Sequence, residues 1–238
     1  MLAARLKTLS GRLGAIHHVR THTPVAALTF DDGPNPDCTP RLLDLLDRHC
    51  ARATFFMVGQ AASRYPALVQ LCAARGHTIA NHSWDHCALT SVSRRERRRQ
   101  LAACAVALRP FEAPYVRPPY GQQNFRSYAD AVLWGYRTVG WSVDVGDWWK
   151  ADSRAMADEL TQQIRPGTIA LLHDAIYDQG VSPLGPEPIQ PPLVDRGPML
   201  EALGLFLERT KGSMKFVTVP ELVGFGAASR QGWGRITT

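Results

Sequence analysis

VAALTFDDGPNPDCTPRLLDLLDRHC, Val25 to Cys50, moves from a short β-favouring run through two adjacent carboxylates and a Gly-Pro breaker into a segment of helical period. The run ending at Phe30 reads as a buried strand. Thr39 followed by Pro40 reads as an N-cap with proline at the first helical position, so a helix follows the strand. The same alternation recurs along the chain: ATFFMV then YPALVQLCAARG, HTIANH then SRRERRRQLAACAVAL, YVRPP then SYADAVLWG. It continues as YRTVGWSV then SRAMADELTQQI, TIALLH then GPMLEALGLFLERTKG, and ends in KFVTV. Strand and helix taking turns predicts an α/β fold with a parallel sheet, either a barrel or a doubly wound sheet. The barrel is favoured because polar residues gather at the C-terminal ends of the strand candidates, where such barrels carry their sites.

At 238 residues and 45% hydrophobic, the chain suits one domain of barrel size. The expected organisation is an N-terminal extension over 1–22, helical or flexible, a main domain over 23–224 and a tail over 225–238. Tyr177 to Pro198, rich in proline and glycine, cannot be a regular element and reads as a long loop at the site-bearing end.

An excess of 27 basic over 21 acidic residues, formally +6, is modest for a soluble enzyme and does not point to nucleic acid. The basic run Arg94–Arg99 lacks interleaved aromatics and reads as a solvated helix face. Five cysteines without paired spacing read as free thiols in a reducing compartment. The N-terminus has no apolar stretch followed by a small-residue cleavage site, and no run approaches the roughly 20 apolar residues of a membrane span. A cytoplasmic protein is therefore expected. The first twenty residues fit either a packed or frayed surface helix or an amphipathic helix giving weak peripheral membrane contact. The oligomeric state is open.

Chemistry concentrates at the strand ends. His82 and His86 are four residues apart, which on a helical turn places both imidazoles on one face, able to take two sites of one metal. With Asp31 or Asp32 from the opening stretch they make two histidines and one carboxylate, a set that leaves positions open for water and substrate. Successive strand residues point to opposite sides, but a frayed end before Gly33 and Pro34 can turn both carboxylates to one cavity, one binding metal and the other free as a base. An Asp-Asp-Gly-Pro turn that merely caps the next helix stays open on this stretch alone. VRPPYG offers Arg117 as a permanent cation for a carboxylate, and a stiff turn whose backbone N–H near Tyr120 can face an oxyanion. WSVDVGDWW offers Asp144 and Asp147 beside tryptophans, and IALLHD ends a buried strand in His173, a candidate general acid.

In this order, TFDDGP, HSWDH, RPPYG, DVGDW and LLHD resemble the five motifs of the polysaccharide deacetylases with a NodB homology domain, carbohydrate esterase family 4. The resemblance spans about Ala26 to Leu222, and LTFDDGPNPDCTPRLLDLL and WSVDVGDW are most like the NodB-type chitooligosaccharide deacetylases. It implies a distorted (β/α) barrel of seven to eight parallel strands and metal-dependent removal of an N-acetyl, or less often O-acetyl, group from a sugar. By position, Asp31 would be the base, and Asp32, His82 and His86 would hold one divalent ion, Zn2+ or else Co2+ or Ni2+. Arg117 would hold Asp31, and His173 would protonate the departing amine. One or both of Asp144 and Asp147 would orient the acid or its neighbours. Tyr120, Trp148, Pro119 and Leu171 would contact the substrate, an N-acetylated sugar or oligosaccharide. A carbohydrate-binding protein that keeps the fold without turnover is the rival outside enzymes.

Overall fold

In the computed structural model, which describes residues 13–177, 194–232 and 234–235, two strands open the described chain, β1 (Ala15–Arg20) and β2 (Val25–Asp31). Helices and strands then alternate: α1 (Thr39–Arg48), β3 (Ala53–Met57), the pair α2 (Gly59–Arg64) and α3 (Pro66–Ala74), β4 (Thr78–Asn81), α4 (Arg94–Leu108) and β5 (Glu112–Val116). A 3-10 turn (Pro119–Gly121) leads to β6 (Gln122–Gln123), α5 (Phe125–Leu133), β7 (Arg137–Thr138), β8 (Val143–Asp144), α6 (Ser153–Gln163) and β9 (Ile169–His173). The order ends with α7 (Gly197–Thr210), β10 (Lys215–Phe216), α8 (Val219–Val223), β11 (Ala227–Gln231) and β12 (Gly234–Arg235).

The main sheet is parallel and ordered β7-β5-β4-β3-β2-β9-β8, with β10 beside the start of β2. Its two end strands are pieces of a single segment: Arg137–Thr138 pairs with β5, and Val143–Asp144 pairs with β9. Between them Val139 N–H donates to Val116 and Ser142 N–H to Ile169, both at 2.9 Å. The sheet therefore curls round on itself, the direction in which strand twist accumulates, and gives the expected (β/α) barrel in distorted form.

Strand alternation sorts the side chains into two layers. Leu28 and Phe30 of β2, Phe55 and Met57 of β3, and Ala170 and Leu172 of β9 pack outward under the helices with Leu42, Leu46, Leu203 and Phe206. The intervening residues Ala27, Phe56 and Ile169 turn inward, where they meet Ile16 and Val19 of β1, and Val139. Carried to the strand ends, the same alternation aims Asp31 and His173 inward, and the two stand opposite each other in the β2–β9 register. β2 is buried along its whole length because it lies between β3 and β9 with both faces covered.

The N-terminal expectation is corrected for the residues described. Ala15–Arg20 is a strand, neither helical nor flexible, and pairs antiparallel with β11 from the predicted tail. Ile16 and Val19 are fully buried, and burial of each such side chain is worth about 1.5–3 kcal/mol, enough to bind this segment into the domain core. A surface-resting helix over the first twenty residues is thereby excluded for β1; residues 1–12 lie outside those described. So does most of the Pro/Gly-rich segment, 178–193. Among the described residues no helix is long and apolar enough to cross a membrane.

Two local expectations also change. Cys38 precedes the first turn of α1 in place of Thr39, whose hydroxyl instead donates to Asp174 Oδ2. The basic run on α4 is not all solvated: Arg97 is buried and grips Asp130 of α5 through Nε and Nη2 at 2.8 and 2.7 Å. Losing one partner of such a pair costs about 3–5 kcal/mol, so Arg97 belongs to the α4–α5 packing.

Candidate functional site

Asp31 is the last residue of β2, and Asp32 follows it with φ +75°. An extended Asp32 would point away from Asp31; the left-handed backbone, tolerated by Asp, turns it to the same end of the barrel. Gly33 is required next, because a Cβ there would come within 2.3 Å of the Asp174 carboxylate oxygens. The expected helical turn under His82 and His86 is absent. Both lie in the loop after β4, where Ser83 and His86 have φ +66° and +60° and fold the two rings toward each other, with centroids 5.0 Å apart.

Asp32, His82 and His86 are buried, and one ligand atom from each lies within 4.8 Å of the others. The Nε2 atoms of His82 and His86 stand 3.4 and 3.2 Å from Asp32 Oδ1. His82 Nδ1 lies 2.8 Å from the Arg117 carbonyl; a carbonyl only accepts, so Nδ1 carries a proton and Nε2 is the ring nitrogen left facing Asp32. Burial pushes His86 down to about 4, with Asp32 opposing, which leaves its ring neutral. Asp32 sits well below the usual carboxylate range: burial opposes the charge, and the imidazoles of His86 and His82, in their protonated forms, outweigh it. Asp32 Oδ1 has no hydrogen-bond donor among the described residues although it is buried. Two imidazole nitrogens converging on a buried carboxylate oxygen form a donor set suited to a cation, so the three residues fit a divalent metal.

Asp31 flanks this cluster, with Oδ2 3.7 Å from His82 Nε2. Its Oδ1 accepts from Arg117 Nη1 at 2.7 Å, and the same guanidinium donates to Thr29 Oγ1 and to the Gly140 carbonyl, each at 2.8 Å. Arg117 is fully buried and lies 4.2 Å from the Phe56 ring centroid, so its two terminal nitrogens and its planar face are held in place. His173 faces Asp31 from β9, and its Nδ1 is 2.9 Å from Asp147 Oδ1 while its backbone N–H donates to Asp147 Oδ2. Burial lowers the His173 pKa, but the charge and hydrogen bond of Asp147, helped by Asp32 and Asp31, outweigh it and raise it to about 9.

The remaining predicted residues divide. Tyr120 has φ +59° in the 3-10 turn begun by buried Pro119, and its ring lies 4.5 Å from His86. Asp144 is not bonded to His173; its Oδ1 accepts from Gly146 N–H at 2.8 Å and shapes the turn that delivers Asp147. Leu171 packs with Trp141 and Ala15, below His173 on the inner face of β9. Trp148 is half-buried and stands edge-on to Trp149 at 6.3 Å.

Three residues were missed. Arg196, at the start of α7, donates to the Asp147 carbonyl at 3.0 Å and reaches Oδ2 at 3.3 Å. Asp174 is buried behind Gly33, its pKa pushed up to about 7 by burial, with Thr39 opposing and Asp32 adding. Tyr177 donates its backbone N–H to Asp32 Oδ2 at 3.0 Å. Asp174 was legible as the neighbour of His173; Arg196 and Tyr177 lie within the Pro/Gly-rich segment Tyr177 to Pro198, which hid them.

A family model described as polysaccharide deacetylase matches residues 18–139. A chitooligosaccharide deacetylase of Sinorhizobium fredii is 36% identical over 199 residues, covering 77% of this chain and 92% of that protein. A peptidoglycan-N-acetylglucosamine deacetylase of Bacillus cereus is 35% identical over 150 residues, covering 62% of this chain and 54% of that protein. Among solved structures, that of the Bc1960 peptidoglycan N-acetylglucosamine deacetylase superposes with a TM-score of 0.79 at 27% identity, covering 94% of this chain and 99% of that one. With a model over half its length, and a relative matched nearly end to end, the chain belongs to the polysaccharide deacetylase family, carbohydrate esterase family 4.

Proposed function

We propose that this protein is a metal-dependent hydrolase that removes the N-acetyl group from an N-acetylglucosamine-containing oligosaccharide or glycoconjugate and releases acetate. The observation that carries the reading is the pairing of Asp31 with His173 in register beside the Asp32, His82 and His86 cluster. A base and an acid thus flank one cation site. The relatives named for chitooligosaccharide and for peptidoglycan N-acetylglucosamine support the substrate class.

Asp32, His82 and His86 would hold the ion. Two imidazoles and a carboxylate suit Zn2+ first and Co2+ or Ni2+ next. Bound there, a divalent cation supplies Lewis acidity, polarising a carbonyl oxygen and making water easier to deprotonate. Asp31, aimed by Arg117, takes the proton from the attacking water through its Oδ2. The Tyr120 backbone N–H faces the oxyanion of the tetrahedral adduct. His173, held by Asp147, gives its proton to the amine nitrogen as the carbon–nitrogen bond breaks. Pro119, Leu171 and Trp148 shape the walls for the acetyl group and sugar.

Chelator-sensitive release of acetate from N-acetylglucosamine oligomers is the expected result, restored by zinc. Sugar binding that survives chelation, with no acetate formed, would replace the enzyme by a carbohydrate-binding protein. Mass spectrometry across N-acetylated oligosaccharides, nucleotide-, lipid- and antibiotic-linked amino sugars and acetylated xylan separates the substrate classes. A reducing, cytoplasmic setting belongs to the same proposal, supported by five cysteines that are all free thiols; cell fractionation tests it.

A further inference from the structure

His82 and His86 are positioned by different means. His82 is fixed by a hydrogen bond to the Arg117 carbonyl, whereas His86 Nδ1 is buried with no hydrogen-bond partner among the described residues. An imidazole without such a bond is free to rotate unless neighbours block it. For His86 the neighbouring rings are Tyr120 at 4.5 Å and His82 at 5.0 Å, with Tyr177 closing a further side edge-on at 6.3 Å. Tyr177 makes two further contacts. Its backbone N–H takes Asp32 Oδ2, which leaves Oδ1 as the oxygen facing both histidines. Its phenol bonds the Gln60 Oε1 atom at the start of α2.

We propose that Tyr177 is a positioning residue of the cation site, clamped by Gln60, which fixes the Asp32 carboxylate by its backbone and the His86 ring by its side chain. The reasoning is geometric. Tyr177 follows β9 by only four residues, so its backbone would be a loosely held N–H donor at a loop start unless something anchored it. The phenol contact to Gln60 supplies that anchor from across the site, and one residue then orients two of the three candidate ligands. Groups that orient metal ligands typically change affinity ten- to a hundredfold when lost. The inference rests on the cation site proposed above and adds the residue that tunes it.

The test is zinc affinity of the full chain, measured by competition with a chromogenic chelator, which needs no substrate. Y177A removes ring and clamp, and its zinc affinity is expected to fall about ten- to a hundredfold. Y177F keeps the ring and drops only the clamp, with an expected loss of about two- to tenfold. Q60A is expected to match Y177F, and the double variant Y177F/Q60A to be no weaker than the weaker single, since both remove one interaction. Zinc affinity within twofold of wild type in a folded Y177A overturns the proposal. If Y177A does not fold, additive losses in Y177F and Q60A, or none, overturn it instead. Wild-type protein that binds no zinc fails the cation site itself, a result distinct from unchanged variants of a zinc-binding wild type.

Discussion

Asp31 and Asp147 are both buried carboxylates gripped by a buried arginine, yet their oxygens are used differently. Asp31 gives Oδ1 to Arg117 and keeps Oδ2 toward the cation cluster, 3.7 Å from His82 Nε2. Asp147 gives Oδ1 to the His173 ring, and Oδ2 to the His173 backbone and Arg196. A carboxylate with a free lone pair at the cavity can take a proton from a reactant; one with both oxygens committed can only hold another group in place. The contrast follows from backbone position. Asp31 ends an inward-facing strand register, whereas Asp147 sits in a turn shaped by Asp144 and is wholly shut from solvent.

The largest expected effect lies outside the pair and sets its baseline. His82→Ala should bring metal content and acetate release to background together, read by elemental analysis and acetate assay; activity without metal would remove the cation from the scheme. Asp31→Asn should keep the metal while losing about two to four powers of ten in rate. Full turnover by that variant would leave Asp31 no more reactive a part than Asp147. The Asp147 side is read through pH. His173, raised to about 9, carries its proton below that value and loses it above, so the rate should fall on an alkaline limb at or below about 9, lower when a dication is bound. Asp147→Asn removes the carboxylate that raises it, and the limb should move toward the ordinary histidine value of about 6.5, which costs about thirtyfold at pH 8 and little at pH 5.5. An unmoved limb would break the link between Asp147 and the acid. The smallest effect is Thr29→Val, which takes one acceptor from Arg117 but leaves Asp31 and Gly140; a loss of about two- to tenfold in rate is expected.

Much of the site was legible because strands carry it. Val25–Asp31 and Ile169–His173 are short apolar runs that end in ionisable residues, and strand alternation fixes which face each residue takes. His82 and His86 were found by their spacing, but the helical turn that gave the spacing meaning is absent; two positive-φ residues in a loop do its work, and positive φ outside glycine leaves little mark on sequence. β1 was misread because its apolar residues form no strong period, and its burial depends on a partner more than two hundred positions away in β11.

By itself the sequence determined the alternation of strand and helix, the order of the polar strand ends and the residue types of the site. These follow from local periodicity and from residue chemistry, which need no distant partner. Tertiary structure decided which oxygen of Asp31 is free, that Arg196 stands behind Asp147, and that Tyr177 meets both Asp32 and His86. Those assignments depend on lone pairs meeting donors from segments far apart in the chain, and only the curled sheet brings such segments within hydrogen-bond distance.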